Sequence, residues 1–140
     1  MDIFSKQRRS ILMSRIRSTD TKPELVVRSI LHRLGYRFRL HVKDLQGRPD
    51  IVLPRHGKIV MVQGCFWHGH TCKLASHPKS NQSYWNSKIR RNRTRDRAVI
   101  RGLVKDGWAV LEIWECQIRA GTGVAENLRA FMKTPNPLFP

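Results

Sequence analysis

Residues 47–63 read GRPDIVLPRHGKIVMVQ and contain two short runs rich in apolar residues, Ile51 to Leu53 and Lys58 to Val62. Glycine and proline bound these runs, so the pattern predicts two short strands separated by a turn. A third strand signal precedes them at Tyr36 to Leu40. A fourth follows at Trp108 to Trp114, where WAVLEIW is typical of a buried strand.

Helix signals flank these strands on both sides. Pro23 follows a group of capping residues at 18–21, which predicts a helix that runs to Leu34 and stops at Gly35. Its expected buried stripe comprises Leu25, Ile30, Leu31 and Leu34. A long basic helix is predicted from Ser83 to Asp106, and a closing helix from Val124 to Met132. This order indicates an α/β fold, with a mixed central sheet flanked by helices.

The charge of the chain is strongly unbalanced. It has 27 Lys and Arg residues against 10 Asp and Glu residues, a net charge of +17. The densest run is KIRRNRTRDRAVIR at residues 88–101, in which Asp96 is the only acid. A solvated helix face would explain this run but not the excess elsewhere. The balance therefore indicates a polyanionic partner, DNA or RNA.

The chain length of 140 residues fits one domain over residues 1–140. Within it we expect a basic N-terminal arm or helix at residues 1–18 and an irregular tail at residues 133–140. No stretch approaches the apolar length of a membrane span, and the polar N-terminus does not resemble a secretory signal. We therefore expect a cytosolic protein.

Residues 64–72, GCFWHGHTC, combine cysteines and histidines at a metal-like spacing. Cys65, His70 and Cys72 form a C-x4-H-x-C group, and Cys116 follows the WAVLEIWE strand. Three cysteines cannot all form intramolecular disulfides, and the cytosol disfavours such bonds. Two thiolates and an imidazole from one loop, with a thiolate from a distant strand, predict a structural zinc site. For Cys116, the alternative is a small buried apolar residue.

Asp50 stands at the start of one predicted strand and beside another, where many DNA-cutting enzymes hold Mg²⁺. The alternative is that Pro49 and Asp50 form a simple turn. The neighbouring strand ends in Met61, Val62 and Gln63, so a metal site would depend on Asp50, a backbone carbonyl near Val62 and water.

Further charged groups for this site would come from elsewhere in the chain. Glu24, His68 and Asp96 are the nearest candidates by pattern. Each has a structural alternative. Glu24 can stabilise the N-terminus of its helix, and Asp96 can neutralise neighbouring arginines. His68 can form a structural hydrogen bond.

Four segments together resemble the very short patch repair (Vsr) family of DNA mismatch endonucleases. They are GRPD at 47–50, VQGCFWHGHTC at 62–72, YWNSKIRRNRTRDR at 84–97 and WAVLEIWEC at 108–116. The similarity extends from Ser10 to Arg119. Val62 and Gln63 depart from the threonine and histidine of the best-known member.

The resemblance implies a fold like that of the type II restriction nucleases, with a structural Zn²⁺ and a catalytic Mg²⁺. It implies an enzyme that nicks double-stranded DNA on the 5′ side of the thymine in T:G mispairs, which arise when 5-methylcytosine is deaminated. The implied partners are mismatched DNA and, functionally, a cytosine-5 DNA methyltransferase. A monomer in the bacterial cytoplasm, associated with the nucleoid, is expected.

The resemblance also implies roles for individual residues. Asp50 is the metal-binding carboxylate and Val62 supplies a backbone carbonyl. His68 is the catalytic histidine, Asp96 its hydrogen-bond partner and Glu24 an accessory acid. The zinc ligands are Cys65, His70, Cys72 and Cys116.

The DNA-facing residues follow from the same motifs. The aromatic wedge comprises Phe66, Trp67 and Trp85, with Asn92 beside it, and Met13 and Ile16 of the N-terminal arm meet the opposite groove. Contacts to the DNA backbone are expected from Lys88, Arg90, Arg91 and Arg93. Zinc ligands on both sides of Phe66 and Trp67 would hold the wedge rigid, although two adjacent aromatics are more commonly core residues.

Two other functions remain open from the sequence. One is a zinc-stabilised DNA-binding protein without cleavage, in which GRPD is a turn and His68 is structural. The other is a related endonuclease that acts on other mismatches or on unpaired DNA.

Overall fold

The computed structural model describes residues 21–65, 81–121 and 123–139 of the chain. In chain order the elements are α1 (Lys22–Arg33), β1 (Arg39–Leu40), β2 (Ile51–Leu53), β3 (Lys58–Gln63), α2 (Gln82–Lys105), β4 (Ala109–Trp114), α3 (Glu115–Ala120) and α4 (Val124–Lys133). Among the described residues, no helix combines the length and apolar character needed to cross a membrane.

The four strands form one mixed sheet in the order β1-β2-β3-β4. β1 and β2 are antiparallel, as are β2 and β3, whereas β3 and β4 are parallel. In the parallel pair Gln63 lies opposite Trp114. The end of β1, the start of β2 and the ends of β3 and β4 therefore lie at one edge of the sheet.

Helices cover both faces of this sheet. On one face Leu31 of α1 and Leu128 of α4 pack with Ile51, Leu53 and Val60. On the other face Leu103 of α2 packs with the alternate residues Val52, Ile59 and Met61. Successive strand side chains point to opposite faces, and both faces are covered by helices. Strand β2 is therefore buried along its whole length. The predicted mixed sheet flanked by helices is confirmed.

Element bounds agree closely where the apolar pattern is continuous. β2 has the predicted bounds, and β3 extends one residue farther, to Gln63. The strand predicted from Tyr36 is reduced to Arg39–Leu40. Tyr36 and Phe38 instead pack against the core as part of the connection from α1, so aromatic content does not indicate strand pairing here.

The predicted stripe of the first helix is partly wrong. Leu25 is 47% exposed, whereas Glu24, Val27 and Leu31 are the buried residues of α1. Those three positions follow the helical repeat, so the buried face of α1 includes Glu24 instead of Leu25. Helix α3, which begins directly after β4, was not predicted.

Beyond α4 the chain is attached to two turns of the sheet. The Nδ2 amide of Asn136 donates to the carbonyl oxygens of Gly57 and Gly107, both at 2.9 Å. The Phe139 ring lies 5.1 Å from that of Trp108, measured between ring centroids. These contacts fasten the tail across the edge of the sheet at which β3 and β4 begin.

Candidate active site

Glu24 lies in the first turn of α1 and faces the sheet. The Thr21 hydroxyl caps the helix by accepting a hydrogen bond from the Glu24 N–H at 3.4 Å. Glu24 belongs to the same buried stripe as Val27 and Leu31, and only 2% of it is exposed. Helix packing therefore directs a carboxylate into the interior at the edge of the sheet where β3 ends.

Asp50 immediately precedes β2 and lies beside the end of β3. The N–H of Val62 donates to its Oδ2 at 3.0 Å. The turn before it is tightly constrained, because Gly47 has φ +76°, Arg48 has φ +47° and Pro49 is fully buried. This turn fixes the carboxylate relative to both strands.

Helix α2 packs closely against that same turn. A Cβ placed on Gly47 would lie 2.5 Å from Cγ1 of Val99, so only glycine fits without a shift of the helix or the turn. A Cβ on Gly102 would meet the flexible end of the Gln46 side chain instead. The glycine of GRPD is thus needed both for its backbone conformation and for its small size.

His41 is a third member of the site and was not identified from the sequence. It follows β1, has a left-handed φ of +45°, and its N–H donates to the Asp50 carbonyl oxygen at 3.1 Å. Its Nε2 lies 2.6 Å from Glu24 Oε1. One potential ligand atom from each of Glu24, His41 and Asp50 lies within 4.8 Å of the other two.

The sequence contained a usable signal for His41. The residue directly follows the strand signal at Tyr36 to Leu40, and the start of an antiparallel neighbour lies at the same edge of a sheet as the end of that strand. Pairing this strand with Ile51 to Leu53 would have placed His41 beside Asp50.

The donor atoms of this cluster suit a divalent cation, although part of its negative charge is already offset. Arg28 Nη2 forms an ion pair with Glu24 Oε1 at 3.2 Å, one turn along α1. Two carboxylates converge here, and bringing like charges together in a partly buried site is unfavourable unless positive charge offsets it. Carboxylate oxygens are the ligands that Mg²⁺ prefers, so the residues present fit a divalent cation.

Val62 lies at the predicted position beside Asp50. Its N–H is the group that contacts the aspartate. Gln63, at the next position, is buried at the end of β3. The use of the Val62 carbonyl as a metal ligand stays a prediction.

Cys65 and Cys116 come together although they are far apart in the chain. Each lies two residues beyond the paired residues Gln63 and Trp114, so the parallel register of β3 and β4 brings them to the same edge of the sheet. The Cys116 N–H donates to Cys65 Sγ at 3.4 Å, and Cys65 is fully buried. A sulfur that accepts a backbone N–H bond is well suited to act as a thiolate ligand, so these two residues fit a zinc site.

Four predicted site residues share one stripe of α2. Trp85, Lys88, Asn92 and Asp96 recur at helical spacing and are all half-buried. Lys88 Nζ lies 5.9 Å from the Trp85 ring centroid and 6.0 Å from that of Tyr84. The same stripe continues into the core at Leu103, which fixes its orientation relative to the sheet.

The predicted backbone-contacting arginines have a different arrangement. Arg90, Arg91 and Arg93 are all exposed. With about 3.6 residues per helical turn, they point in three directions around α2 rather than forming one line. Arg95 Nη2 lies 3.4 Å from Asn92 Oδ1, so a further arginine reaches the half-buried stripe.

Several predicted site residues lie outside the described residues. They are Met13, Ile16, Phe66, Trp67, His68, His70 and Cys72. Their assigned roles therefore stay predictions. Cys65, which directly precedes Phe66, is the last described residue before this segment.

Comparison with known proteins supports a single family. The family model for DNA mismatch endonuclease Vsr matches residues 1–74, which include GRPD and the cysteine-histidine group. Type II nicking enzyme V.XorIIP of Xanthomonas oryzae pv. oryzae is 50% identical over 117 residues, which cover 84% of this chain and 86% of that protein.

Two further relatives agree with this match. Type II nicking enzyme V.NmeAIP of Neisseria meningitidis is 39% identical over 132 residues, covering 94% of each chain. DNA mismatch endonuclease Vsr of Escherichia coli is 39% identical over 118 residues, covering 84% of this chain and 76% of that protein. The chain described here is a member of the Vsr family of DNA mismatch endonucleases.

Proposed function

We propose that this endonuclease nicks double-stranded DNA on the 5′ side of the thymine in a T:G mispair, in a reaction that requires Mg²⁺. The observation that carries the proposal is the convergence of Glu24, His41 and Asp50 where β1 ends and β2 begins. A net charge of +17 supports a DNA substrate. The mixed sheet with an acid at a strand end is also consistent with a restriction-nuclease-like core.

Asp50 would hold the Mg²⁺, with Glu24 as the accessory acid and the Val62 carbonyl as a further oxygen. The Val62 N–H contact keeps the Asp50 carboxylate at the end of β3. When bound, such a cation would polarise a phosphoryl oxygen and stabilise the negative charge that develops during hydrolysis.

The protein would also manage two proton transfers. Hydrolysis adds a water oxygen to phosphorus and breaks the bond to the leaving sugar oxygen, so the water loses a proton and the leaving oxygen gains one. We assign proton transfer to His68 and its orientation to Asp96, which lies on the half-buried stripe of α2. A histidine suits this role because its pKa lies near neutral pH.

Mismatch recognition would depend on the aromatic residues beside the zinc site. We propose that Cys65, His70, Cys72 and Cys116 bind Zn²⁺ and hold Phe66 and Trp67 as a wedge. The contact between Cys116 and Cys65 supports the half of this site that is described. A mispair costs less to unstack than a matched pair, so wedge insertion would itself favour T:G DNA.

The proposed lesion suggests its cellular source. Deamination of 5-methylcytosine opposite guanine leaves thymine opposite guanine. We therefore propose a functional link to a cytosine-5 DNA methyltransferase, whose product generates the substrate of this enzyme.

The decisive experiment uses the full chain loaded with zinc. A duplex library that carries one T:G pair in randomised flanks is incubated with the protein and either Mg²⁺ or a chelator, beside an identical library with A:T. Sequencing of the nicked strand maps the cut. We expect Mg²⁺-dependent cuts on the 5′ side of the mispaired thymine.

Other results would contradict the proposal in different ways. Tight binding without cleavage would indicate a DNA-binding protein. Equal cleavage of A:T duplexes, or a preference for other mispairs, would disprove the assigned specificity. Undiminished cleavage in chelator would disprove the metal requirement.

A further inference from the structure

His41 is held at both its backbone and its ring by the two acids of the site. Its N–H bonds the Asp50 carbonyl oxygen at 3.1 Å, while its Nε2 lies 2.6 Å from Glu24 Oε1. The side chain is 17% exposed, so the ring lies mainly inside the protein. The imidazole is therefore part of the site rather than of the surrounding surface.

We propose that His41 is a nitrogen ligand of the divalent cation bound by Asp50 and Glu24, and that it gives this site a preference for Mn²⁺ over Mg²⁺. The inference rests on the proposed function, because it concerns the cation of the same site. Mg²⁺ would still support nicking, but with weaker binding to the protein.

The separations fit one cation shared by the three side chains. Their ligand atoms all lie within 4.8 Å of one another. In an octahedral site with bonds of about 2.1 Å, adjacent ligands lie about 3 Å apart and opposite ligands about 4.2 Å apart. Small side-chain rotations therefore suffice to place all three around a single ion.

The contact between His41 and Glu24 is compatible with metal binding. A neutral imidazole carries its proton on either ring nitrogen, and the other nitrogen holds a lone pair. When the proton is on Nδ1, the lone pair of Nε2 faces Glu24. A cation could then bind both Nε2 and the Glu24 carboxylate in place of the hydrogen bond between them. No change in net protonation is required.

A nitrogen ligand changes which cation fits best. Mg²⁺ strongly prefers oxygen ligands and keeps its water. Imidazole is a favoured ligand of Fe²⁺, Ni²⁺, Cu²⁺ and Zn²⁺, and Mn²⁺, the first metal in the same affinity series, accepts it more readily than Mg²⁺ does. Mn²⁺ accepts both carboxylate and imidazole donors. A site with two carboxylate oxygens and one imidazole nitrogen should therefore bind Mn²⁺ more tightly than Mg²⁺.

The competing interpretation is that His41 only positions Glu24 through its hydrogen bond. Both interpretations predict weaker nicking when His41 is replaced. They differ in the spectrum of the bound metal, because only a direct ligand couples its nitrogen nucleus to the unpaired electrons of Mn²⁺.

The test measures Mn²⁺ binding to the full chain carrying one equivalent of Zn²⁺ and no excess, by electron paramagnetic resonance with pulsed detection of nitrogen coupling. The variant is His41→Asn, because asparagine tolerates the left-handed φ of +45° while its side chain is too short to replace the imidazole. His56→Asn is the matched control. His56 is also half-buried, but it packs against Tyr36 in the turn between β2 and β3, at the opposite edge of the sheet.

We expect nitrogen coupling in the parent and in His56→Asn and its loss in His41→Asn. Mn²⁺ affinity should fall at least about tenfold in His41→Asn, and Mg²⁺ affinity should change much less. Unchanged coupling or unchanged Mn²⁺ affinity in this variant would overturn the inference. The parent spectrum tests the ligand even if the variant fails to fold, since a parent without nitrogen coupling has no histidine ligand.

Failure of the inference can be separated from failure of the proposed function. If Asp50→Asn abolishes Mn²⁺ binding while His41→Asn leaves it intact, the metal site stands and only the role of His41 is wrong. If the parent binds neither cation, the Mg²⁺-dependent function fails as well.

Discussion

The two ends of strand β3 bury opposite charges for different purposes. At its start the Lys58 side chain is 1% exposed, and its Nζ donates to the carbonyl oxygens of Phe131, Met132 and Thr134. At its end the Val62 N–H contacts Asp50, next to the buried Glu24. Strand β3 thus runs from a basic end, at Lys58, to an acidic end, at Asp50 and Glu24.

The difference lies in how each charge is compensated. An ammonium has three N–H donors, and the last turn of α4 with the residue after it supplies three acceptors for Lys58. At the other end two carboxylates converge with an imidazole, and Arg28 pairs with Glu24. The carboxylate oxygens and the imidazole nitrogen form a donor set for a divalent cation. The first end therefore contributes to stability, whereas the second is suited to bind a ligand.

The largest effect is expected at the acidic end. Asp50→Asn should reduce nicking of T:G DNA by at least about three orders of magnitude, because the proposed cation loses its principal carboxylate. Thermal unfolding should change little, since the amide keeps an oxygen that can accept the Val62 N–H. The exposed Asp44→Asn is the control for the loss of one negative charge. Substantial Mg²⁺-dependent nicking by Asp50→Asn would show that the active site lies elsewhere.

The opposite result is expected at the basic end. Lys58→Met should lower the free energy of unfolding by about 3 kcal/mol, because buried carbonyl oxygens lose their donor. Denaturant titration measures this loss, and nicking per folded molecule should be unchanged. The control is Lys133→Met, at an exposed lysine of α4, the helix that supplies acceptors to Lys58. It should change the free energy of unfolding by less than about 0.5 kcal/mol.

Lys58 also predicts a pH dependence. Burial lowers the pKa of its ammonium, so the unfolded chain binds more protons in the alkaline range just below the ordinary lysine pKa. In that range the free energy of unfolding should rise with pH in the parent, and the rise should be smaller in Lys58→Met. An equal slope in both proteins would show that Lys58 is not its source.

A smaller effect is expected where α2 packs against the turn that carries Asp50. Gly47→Ala should lower the free energy of unfolding by about 2 kcal/mol. The alanine would have to keep the left-handed φ of Gly47, and its Cβ would meet the Val99 side chain. Nicking should also fall, because the turn carries Asp50. Gly102→Ala is the matched control, since the Gln46 side chain can move away there. Equal losses in the two variants would contradict a specific constraint at Gly47.

The smallest effect is expected in the tail at the basic end. Asn136→Ala should lower the free energy of unfolding by about 1–2 kcal/mol, because two turn carbonyls lose their shared donor. Calorimetry should detect this change, with nicking per folded molecule unaffected. The exposed Asn127→Ala should be close to neutral. A loss of nicking in Asn136→Ala would show that the two ends of β3 are coupled.

The basic end was less predictable from the sequence than the acidic end. A lysine at the start of an apolar strand is usually solvated, and the acceptors of Lys58 lie in a helix more than seventy residues away. The tail was expected to be irregular, but its attachment through Asn136 depends on two turns that meet only in the folded chain. Such long-range contacts leave no local periodicity.

Local patterns were sufficient at several other positions. The bounds of β2 followed from a continuous apolar run between turn residues, and α1 began where threonine and proline predicted it. Asp50 could be proposed as a site residue from the sequence because an acid at the start of a strand is a local feature. The pairing of Cys65 with Cys116 was proposed from metal-ligand chemistry, but its geometry depends on β3 and β4 being parallel neighbours.

By itself the sequence determined the α/β class, the mixed sheet with its helical cover, the Vsr family and most of the candidate residues, because these depend on residue type and short spacing. Tertiary structure decided which helix face is buried, and so turned Glu24 rather than Leu25 inward. It also placed His41 beside Asp50 by pairing β1 with β2. Strand order and helix rotation are set by the packing of the whole core, which no short segment of the chain encodes alone.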